Sequence, residues 1–339
     1  MGRKNVRVGI IGCGLMGNTH AETLRMLSNA EIGAACDLQI EAAERLLADF
    51  AGPGSYTTTD SAQLLADDSL DAVLICTWHD SHYPLAMAAL ANGKHVFIEK
   101  PLAFTVEQCR EIQEAGHAAG RHVVAGFFAR FAPAVQQVKA AGLRPIATVA
   151  QMSSPRWADD FWAQDPHLGG GNVFSQGCHL LDLCCYLQGE EPVAVTAQGG
   201  TLTHRQGLID TVAATLRFAS GAVASLFISD AGTNPHTGKV MIQLFCVDQV
   251  VGIHHLFGGE RGQAAWWRPP GRVEPGISGA LEWDTTGHRT LVRHFVNAVG
   301  EGGMPPGMPT AEDGLRATAL VEALFTAVRN QREEVGVKR

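Results

Sequence analysis

The segment VRVGIIGCGLMG, Val6 to Gly17, constrains this chain more than any other: a β-branched apolar run breaks abruptly into Gly12, Gly14 and Gly17. The run reads as a buried strand, and the G-x-G-x-x-G spacing as the turn that carries it into a helix. Each glycine has its own reason to be there. The first permits the tight turn, the second lets the backbone approach a pyrophosphate, and the third lets the helix pack closely on the strand. Helix N-terminal amides, those of Leu15 and Met16 among them, then receive the phosphate charge. Asp37 ends a second strand twenty residues beyond Gly17, the position from which a carboxylate holds both ribose hydroxyls of a dinucleotide. Leu38 and Gln39 follow it, with no adjacent Arg to accept a 2′-phosphate that the carboxylate itself would repel. NAD is therefore favoured over NADP.

From that turn to Gly126, short β-branched runs alternate with amphipathic stretches, the pattern of βαβ units in a parallel sheet. Strands are expected at Arg7–Ile11, Ile32–Cys36, Ala72–Cys76, His95–Ile98 and His122–Gly126. Helices are expected at His20–Ser28, Ile40–Ala48, Tyr83–Ala91 and Thr105–Ala119. The rhythm then changes. A helix near Pro133–Ala141 leads into strand-like runs at Ile146–Met152, Val193–Gly199, Thr211–Phe218, Ala222–Ser229, Lys239–Val247 and Gln249–His254. In one of them Val212, Ala214, Leu216 and Phe218 share a face. Gly258–Gly279, rich in Gly, Pro and Trp, reads as a long loop, and Thr290–Val299 and Thr310–Gln331 as closing helices. The fold class is thus α/β, with an N-terminal doubly wound Rossmann domain over residues 1–126. An α+β domain with a largely antiparallel sheet follows over 127–339. At roughly 150 residues per domain, a chain of 339 residues fits two.

The 26 Lys and Arg against 34 Asp and Glu leave a net charge of −8, so no basic field attracts nucleic acid or anionic lipid. No apolar run approaches a membrane span, and the first one is too rich in glycine for a signal-peptide core, so the expected location is cytoplasmic. Eight cysteines without a C-x-x-C pair read as reduced thiols, and neither Cys184-Cys185 nor His254-His255 makes a metal site.

A further motif, KHVFIEKPLA, brings Glu99, Lys100 and Pro101 to the end of a strand, where ligands of a doubly wound sheet bind. With it, the chain resembles the glucose–fructose oxidoreductase / inositol dehydrogenase / rhizopine-catabolism oxidoreductase (Gfo/Idh/MocA) family over nearly its whole length. CTWHDSHYPLAMAALANGKHV follows the family's pattern through Thr77 and His82, and GFFARFAPAV matches at Arg130 and Pro133. GGGNVFSQGCHLLDL is similar to its second-domain signature, with three glycines followed by Gly177, His179 and Asp182. The resemblance implies a nicotinamide cofactor, a sugar or polyol substrate, and Lys100 and His179 as the catalytic groups at the reacting hydroxyl. It also implies a homodimer or homotetramer built through the open face of the second sheet. The chemistry agrees: an imidazole suits the hydroxyl proton, and an ammonium stabilises the developing alkoxide.

The chain departs from the pattern at several places. Ser175 stands where an Asp is usual, followed by Gln176; a hydroxyl can hydrogen-bond substrate but takes no proton at neutral pH. Asp182, one helical step from His179, could orient its ring or tie the helix to a neighbouring segment. Trp78 and His79 replace a Pro-Asn pair and could wall the nicotinamide pocket or simply pack, and Phe128 stands where Asn is common. Trp157 and Trp162, beside Arg156, could form a stacking platform for a sugar ring. The expected function is NAD-dependent dehydrogenation of a sugar, inositol-like polyol or sugar derivative. The alternatives are a redox-neutral elimination or epimerisation with tightly bound NAD, and a catalytically silent dinucleotide-binding regulator.

Overall fold

The computed structural model describes residues 5–204, 207–257, 262–268, 272–275 and 284–330. The first elements are β1 (Val6–Ile11), α1 (Leu15–Arg25), β2 (Ala30–Cys36), α2 (Ile40–Phe50), β3 (Ala51–Thr58), α3 (Ser61–Leu65), β4 (Ala72–Ile75), α4 (His82–Ala91), β5 (His95–Ile98), α5 (Val106–Ala119) and β6 (Val123–Ala125). Their six strands form an entirely parallel sheet in the order β3-β2-β1-β4-β5-β6. This is the doubly wound arrangement, and its strand order reverses beside β1, where the glycine turn lies. The central strands read as continuous apolar runs because helices cover them: every residue of β4 is fully buried. Local chemistry marks the helix ends. The Asp60 carboxylate accepts the Ala62 amide at the start of α3, Thr105 Oγ1 accepts that of Gln108 in α5, and Gly120 closes α5 at φ +61°.

The second group comprises α6 (Pro133–Ala140), β7 (Ala147–Ser153), α7 (Gly171–Ser175), α8 (Gly177–Gln188), β8 (Pro192–Gly200), β9 (Thr211–Phe218), β10 (Val223–Ser229), β11 (Val240–Cys246), β12 (Gln249–Leu256), β13 (Gln263–Arg268) and β14 (Arg272–Pro275). The eight strands run β14-β13-β12-β11-β7-β10-β9-β8, antiparallel at every junction except β7 with β10. Val212, Ala214, Leu216 and Phe218 are buried and their neighbours are not, as the alternation requires. α8 comes close to this inner face: a Cβ on Gly177 would lie 3.0 Å from the Ile228 side chain. The other face carries Val149, Val223, Phe227 and Trp267, each about two-fifths exposed.

Two expectations are corrected. Gly258–Gly279 is not one loop, because β13 pairs with β12 through Trp267 and Val250, and β14 pairs with β13; residues 258–261, 269–271 and 276–279 of that stretch lie outside the described residues. Nor does a single boundary at 126/127 divide the chain. Its compact units are Met1–Phe128 with Gly287–Thr318, and Ala129–Thr286 with Ala319–Arg339. The return is driven by α9 (His288–Glu301), whose Leu291, Val292, Phe295 and Val296 are buried, Phe295 edge-to-face on Phe97 at 5.8 Å. The Ala125 amide also donates to the Pro309 carbonyl, just before α10 (Ala311–Asn330). Among the described residues no helix is long and apolar enough to cross a membrane.

The close backbone approach at the glycine turn yields a prediction. A Cβ on Gly17 would lie 2.1 Å from the Gly12 carbonyl oxygen, which is backbone and cannot swing away. Gly17→Ala is expected to cost about 1–3 kcal/mol, the range for overpacking, read as a lower midpoint in urea unfolding.

Candidate functional site

The parallel strands bring their carboxyl ends to one edge of the first sheet, and most of the expected residues of that unit lie there. Gly12 adopts φ +92°, and a Cβ on it would lie 2.7 Å from the Cys76 carbonyl group. Gly14 precedes α1 with open space around its Cα, Leu15 is 83% exposed, and the first turn of α1 contains no acidic residue. The amides at this helix end are therefore presented to an anion without a competing carboxylate of their own. Asn18 holds the turn, its Nδ2 donating to the carbonyls of Cys13 and Gly14, both at 2.8 Å.

Asp37 is half-buried, with Oδ2 accepting the Cys13 amide at 2.8 Å and Oδ1 that of Gln39 at 3.0 Å. The carboxylate thus braces the turn while keeping an exposed side. Burial first, then the charges of Asp37 and Cys36, pushes the Cys13 thiol up to about 12, so the middle of the turn carries no thiolate to repel phosphate. An open second glycine, an unneutralised helix end and a carboxylate just beyond β2 together fit a dinucleotide.

Beyond β4, Thr77 is half-buried and Trp78 is 50% exposed, while His79 is buried against His82 and Phe104. The Ser81 hydroxyl donates to the Thr77 hydroxyl and lies within hydrogen-bond distance of the Trp78 carbonyl. His82 is fully buried, Nδ1 lying 2.8 Å from the Pro101 carbonyl oxygen and Nε2 3.2 Å from that of Thr77. Burial pushes its pKa down, against the pull of those two carbonyls. Its role is a strut between the β4 and β5 exits. Lys100 is half-buried and joined to Pro101 by a cis peptide bond.

Glu99 is 5% exposed, Oε1 lying 2.8 Å from His20 Nε2. Burial opposes its charge. The hydrogen bond and charge of His20, followed by the charges of Lys100 and His288, nevertheless hold the carboxyl below the usual range. His20 is a residue that reading by motif passes over, since it differs from its neighbours only in lying on the buried side of α1. Phe128, expected among the substrate-binding residues, is stacked on His288 at 3.4 Å between centroids.

In the second unit, Gly170 and Gly171 adopt φ +74° and +85°, turning the chain into α7 and α8. Ser175 and His179 are both 3% exposed on successive turns. The His179 ring lies 5.2 Å from that of Phe257, over which Lys239 Nζ sits at 5.8 Å; the same Nζ donates to Gln176 Oε1 at 2.8 Å. Lys239 and Phe257 escape local reading because β11 and β12 bring them in from more than fifty residues away. Phe257 itself has φ +69°, a strained value for an aromatic residue.

Asp182 is held by a guanidinium on the turn before α6. Both of its oxygens accept from Arg130, Nε at 2.9 Å and Nη2 closer still, and the guanidinium lies over Tyr186 at 4.8 Å. It ties α8 to the turn before α6, the second of the two roles open to it. Trp162 is half-buried beside Phe161, at 5.7 Å, and Phe161 meets Trp157 edge-to-face at 5.3 Å. This aromatic segment is fastened by His204, whose ring nitrogens face Asp159 at 3.2 Å and Asp230 at a shorter distance. All eight cysteines are free thiols, and no group of three or more His, Cys, Asp or Glu among the described residues could hold a metal ion.

Residues 6–127 match the family model described as the oxidoreductase family with NAD-binding Rossmann fold, and residues 144–246 that of the GFO/IDH/MocA C-terminal domain. Myo-inositol 2-dehydrogenase of Thermotoga maritima is 30% identical over 226 residues, 64% of this chain and 66% of that one. The likeness to inositol 2-dehydrogenase of Rhizobium meliloti runs over 97% of this chain and 98% of that one at 26% identity. The crystal structure of aldose-aldose oxidoreductase from Caulobacter crescentus, complexed with glycerol, shares the fold with a TM-score of 0.85 over 97% of this chain and 99% of that one, at 23% identity. With both domain models matched in order and this geometry beneath them, the chain belongs to the GFO/IDH/MocA family of NAD-binding oxidoreductases.

Proposed function

We propose that the protein is an NAD-dependent dehydrogenase acting on a secondary hydroxyl of a sugar, an inositol-like cyclic polyol or a sugar derivative. The observation that carries this reading is the placement of Lys100 at the carboxyl end of β5, on the same sheet edge as the glycine turn and Asp37. Bound NAD supplies the acceptor for the carbinol hydride. The chain supplies the rest. As the hydroxyl carbon is oxidised its proton must leave, and His179 takes it, an imidazole being suited to proton transfer near neutrality. The Lys100 ammonium donates to the same oxygen and stabilises its growing negative charge. Ser175 orients the substrate by a hydrogen bond, Gln176 is held for the same purpose by Lys239, and Trp162 offers an aromatic face to the ring.

Ser175 also favours a second reading. With no carboxylate at that position the proton-handling set is small, which suits a redox-neutral elimination or epimerisation with retained NAD. Absorbance at the reduced-nicotinamide band, followed with NAD and a panel of polyols and sugars, separates the two. Net reduction supports dehydrogenation, turnover without it supports the second reading, and binding without turnover points to a regulator.

NAD is expected to bind tighter than NADP by about tenfold to a hundredfold, since Asp37 offers charged hydrogen bonds worth roughly 1.5–3 kcal/mol to the ribose. Equal or tighter binding of NADP in a titration contradicts this. His179→Ala should lower kcat by about 10²–10⁴-fold and Lys100→Ala by at least as much. Ser175→Ala should cost only about 0.5–1.5 kcal/mol, mostly in KM. Unchanged turnover in His179→Ala, with a deuterated substrate showing chemistry to be rate-limiting, would place the base elsewhere. The apolar face carrying Val149, Val223, Phe227 and Trp267 is proposed to be covered by a second copy of the chain. Light scattering at micromolar concentration should give a dimer or tetramer mass, and Phe227→Lys a smaller one.

A further inference from the structure

The first unit buries a histidine–carboxylate contact that the proposed chemistry leaves unused. His20, on α1, is 1% exposed, and Glu99, at the end of β5, is 5% exposed; Nε2 and Oε1 are 2.8 Å apart. The other carboxylate oxygen, Oε2, accepts the Lys100 amide at 3.2 Å. Space has been cleared for the carboxylate, since a Cβ on Gly126 would lie 3.0 Å from that oxygen.

The imidazole has little else to do. Its Nδ1 is buried with no hydrogen-bond partner among the described residues, and its ring is walled by Phe97 at 5.1 Å and His288 at 6.4 Å. Leaving one ring nitrogen unsatisfied is a cost that a packing residue would not incur. The buried anion requires the contact, because a carboxylate withdrawn from water attracts whatever cation can reach it. After His20, the groups that most lower the Glu99 carboxyl are Lys100 and His288.

We infer that His20 is a positioning residue for Lys100: by occupying Glu99 Oε1 it keeps the carboxylate from competing with the substrate hydroxyl for the Lys100 ammonium. This inference rests on the reading of Lys100 as the group that stabilises the alkoxide. Without His20, the ammonium next along the chain folds back toward Glu99. The backbone of Lys100 stays in place, while its charge moves away from the reacting oxygen.

The test compares His20→Gln, whose amide nitrogen reaches the place of Nε2, with His20→Asn, whose shorter side chain does not. Three quantities are read: the thermal midpoint, the rate at which an amine-reactive reagent labels Lys100 without cofactor (followed by peptide mass spectrometry), and kcat with KM on a polyol that the wild type turns over. In His20→Asn, Lys100 labelling should slow several-fold and kcat fall by about tenfold to a hundredfold, the scale of a displaced reacting group, with KM little changed. In His20→Gln both should recover most of the way to wild type at a similar midpoint. Wild-type labelling and kcat in His20→Asn, or equal losses in both variants that follow the midpoint, overturn the inference. Glu99→Gln gives a test that needs no change at His20: with the competing charge gone, labelling of Lys100 stays at or above the wild-type rate, and a slower rate overturns the inference. If the wild type turns over no polyol, the reading of Lys100 fails on its own, and the labelling rates still decide whether His20 controls the amine.

Discussion

Three strands of the first sheet meet at the backbone of Gly12. Its amide donates to the Cys36 carbonyl at the end of β2, and its Cα faces the Cys76 carbonyl at the exit of β4 with no room for a side chain. Gly17 then presses α1 onto the Gly12 carbonyl itself. These contacts fix the depth and direction of the helix that faces the dinucleotide, and through Asp37 and Cys13 they fix the end of β2 as well. A parallel sheet gathers all of its strand ends on one edge, so a turn locked there sets the position of Thr77, Glu99 and Lys100 at the same time.

The buried charges in the two units answer one constraint, that an ion taken out of water needs a partner with good geometry. Asp182 meets it with a guanidinium that binds both oxygens, Asp230 with His204, and Glu99 with His20. Only the last lies next to a residue with proposed chemistry. Asp182 and Asp230 anchor α8 and the aromatic segment around Trp162, so they act on the site by holding its framework. Asp210 adds a third solution, accepting the backbone amides of Leu202, Thr203 and His204, which hold its carboxyl below the usual range against the opposing effect of burial.

Legibility of the fold followed the range of the interactions. The glycine turn, the buried strands and the alternation in β9 are local patterns, and the structure has them at the expected places. β3 was not legible: Ala-Gly-Pro-Gly-Ser carries loop chemistry, and only its edge position makes the proline acceptable within a strand. β13 and β14 were obscured in the same way, their strand character coming from pairing with β12. The return of Gly287–Thr318 to the first unit depends on Phe295 meeting Phe97 nearly two hundred residues away, which no window could show. At the site, residues carried by motifs were readable. Those that act across the chain, His20, Lys239 and Phe257, were not.

Ser175 is the departure with the widest consequence. At 3% exposure, a carboxylate in its place would need a compensating charge of its own, and the nearest carboxylate on α8 already takes up Arg130. A hydroxyl needs only a hydrogen bond, which it can exchange with a substrate hydroxyl of either sense, being donor and acceptor at once. The proton leaving the substrate would then pass to His179 without a second acid to share it. Beside that imidazole lies Phe257, in a strained backbone conformation. Strain of that kind persists only where surrounding structure over-determines it. Here the pairing of β12 with β11 across Leu256 and Val240 supplies that support, placing the aromatic ring beside both His179 and Lys239.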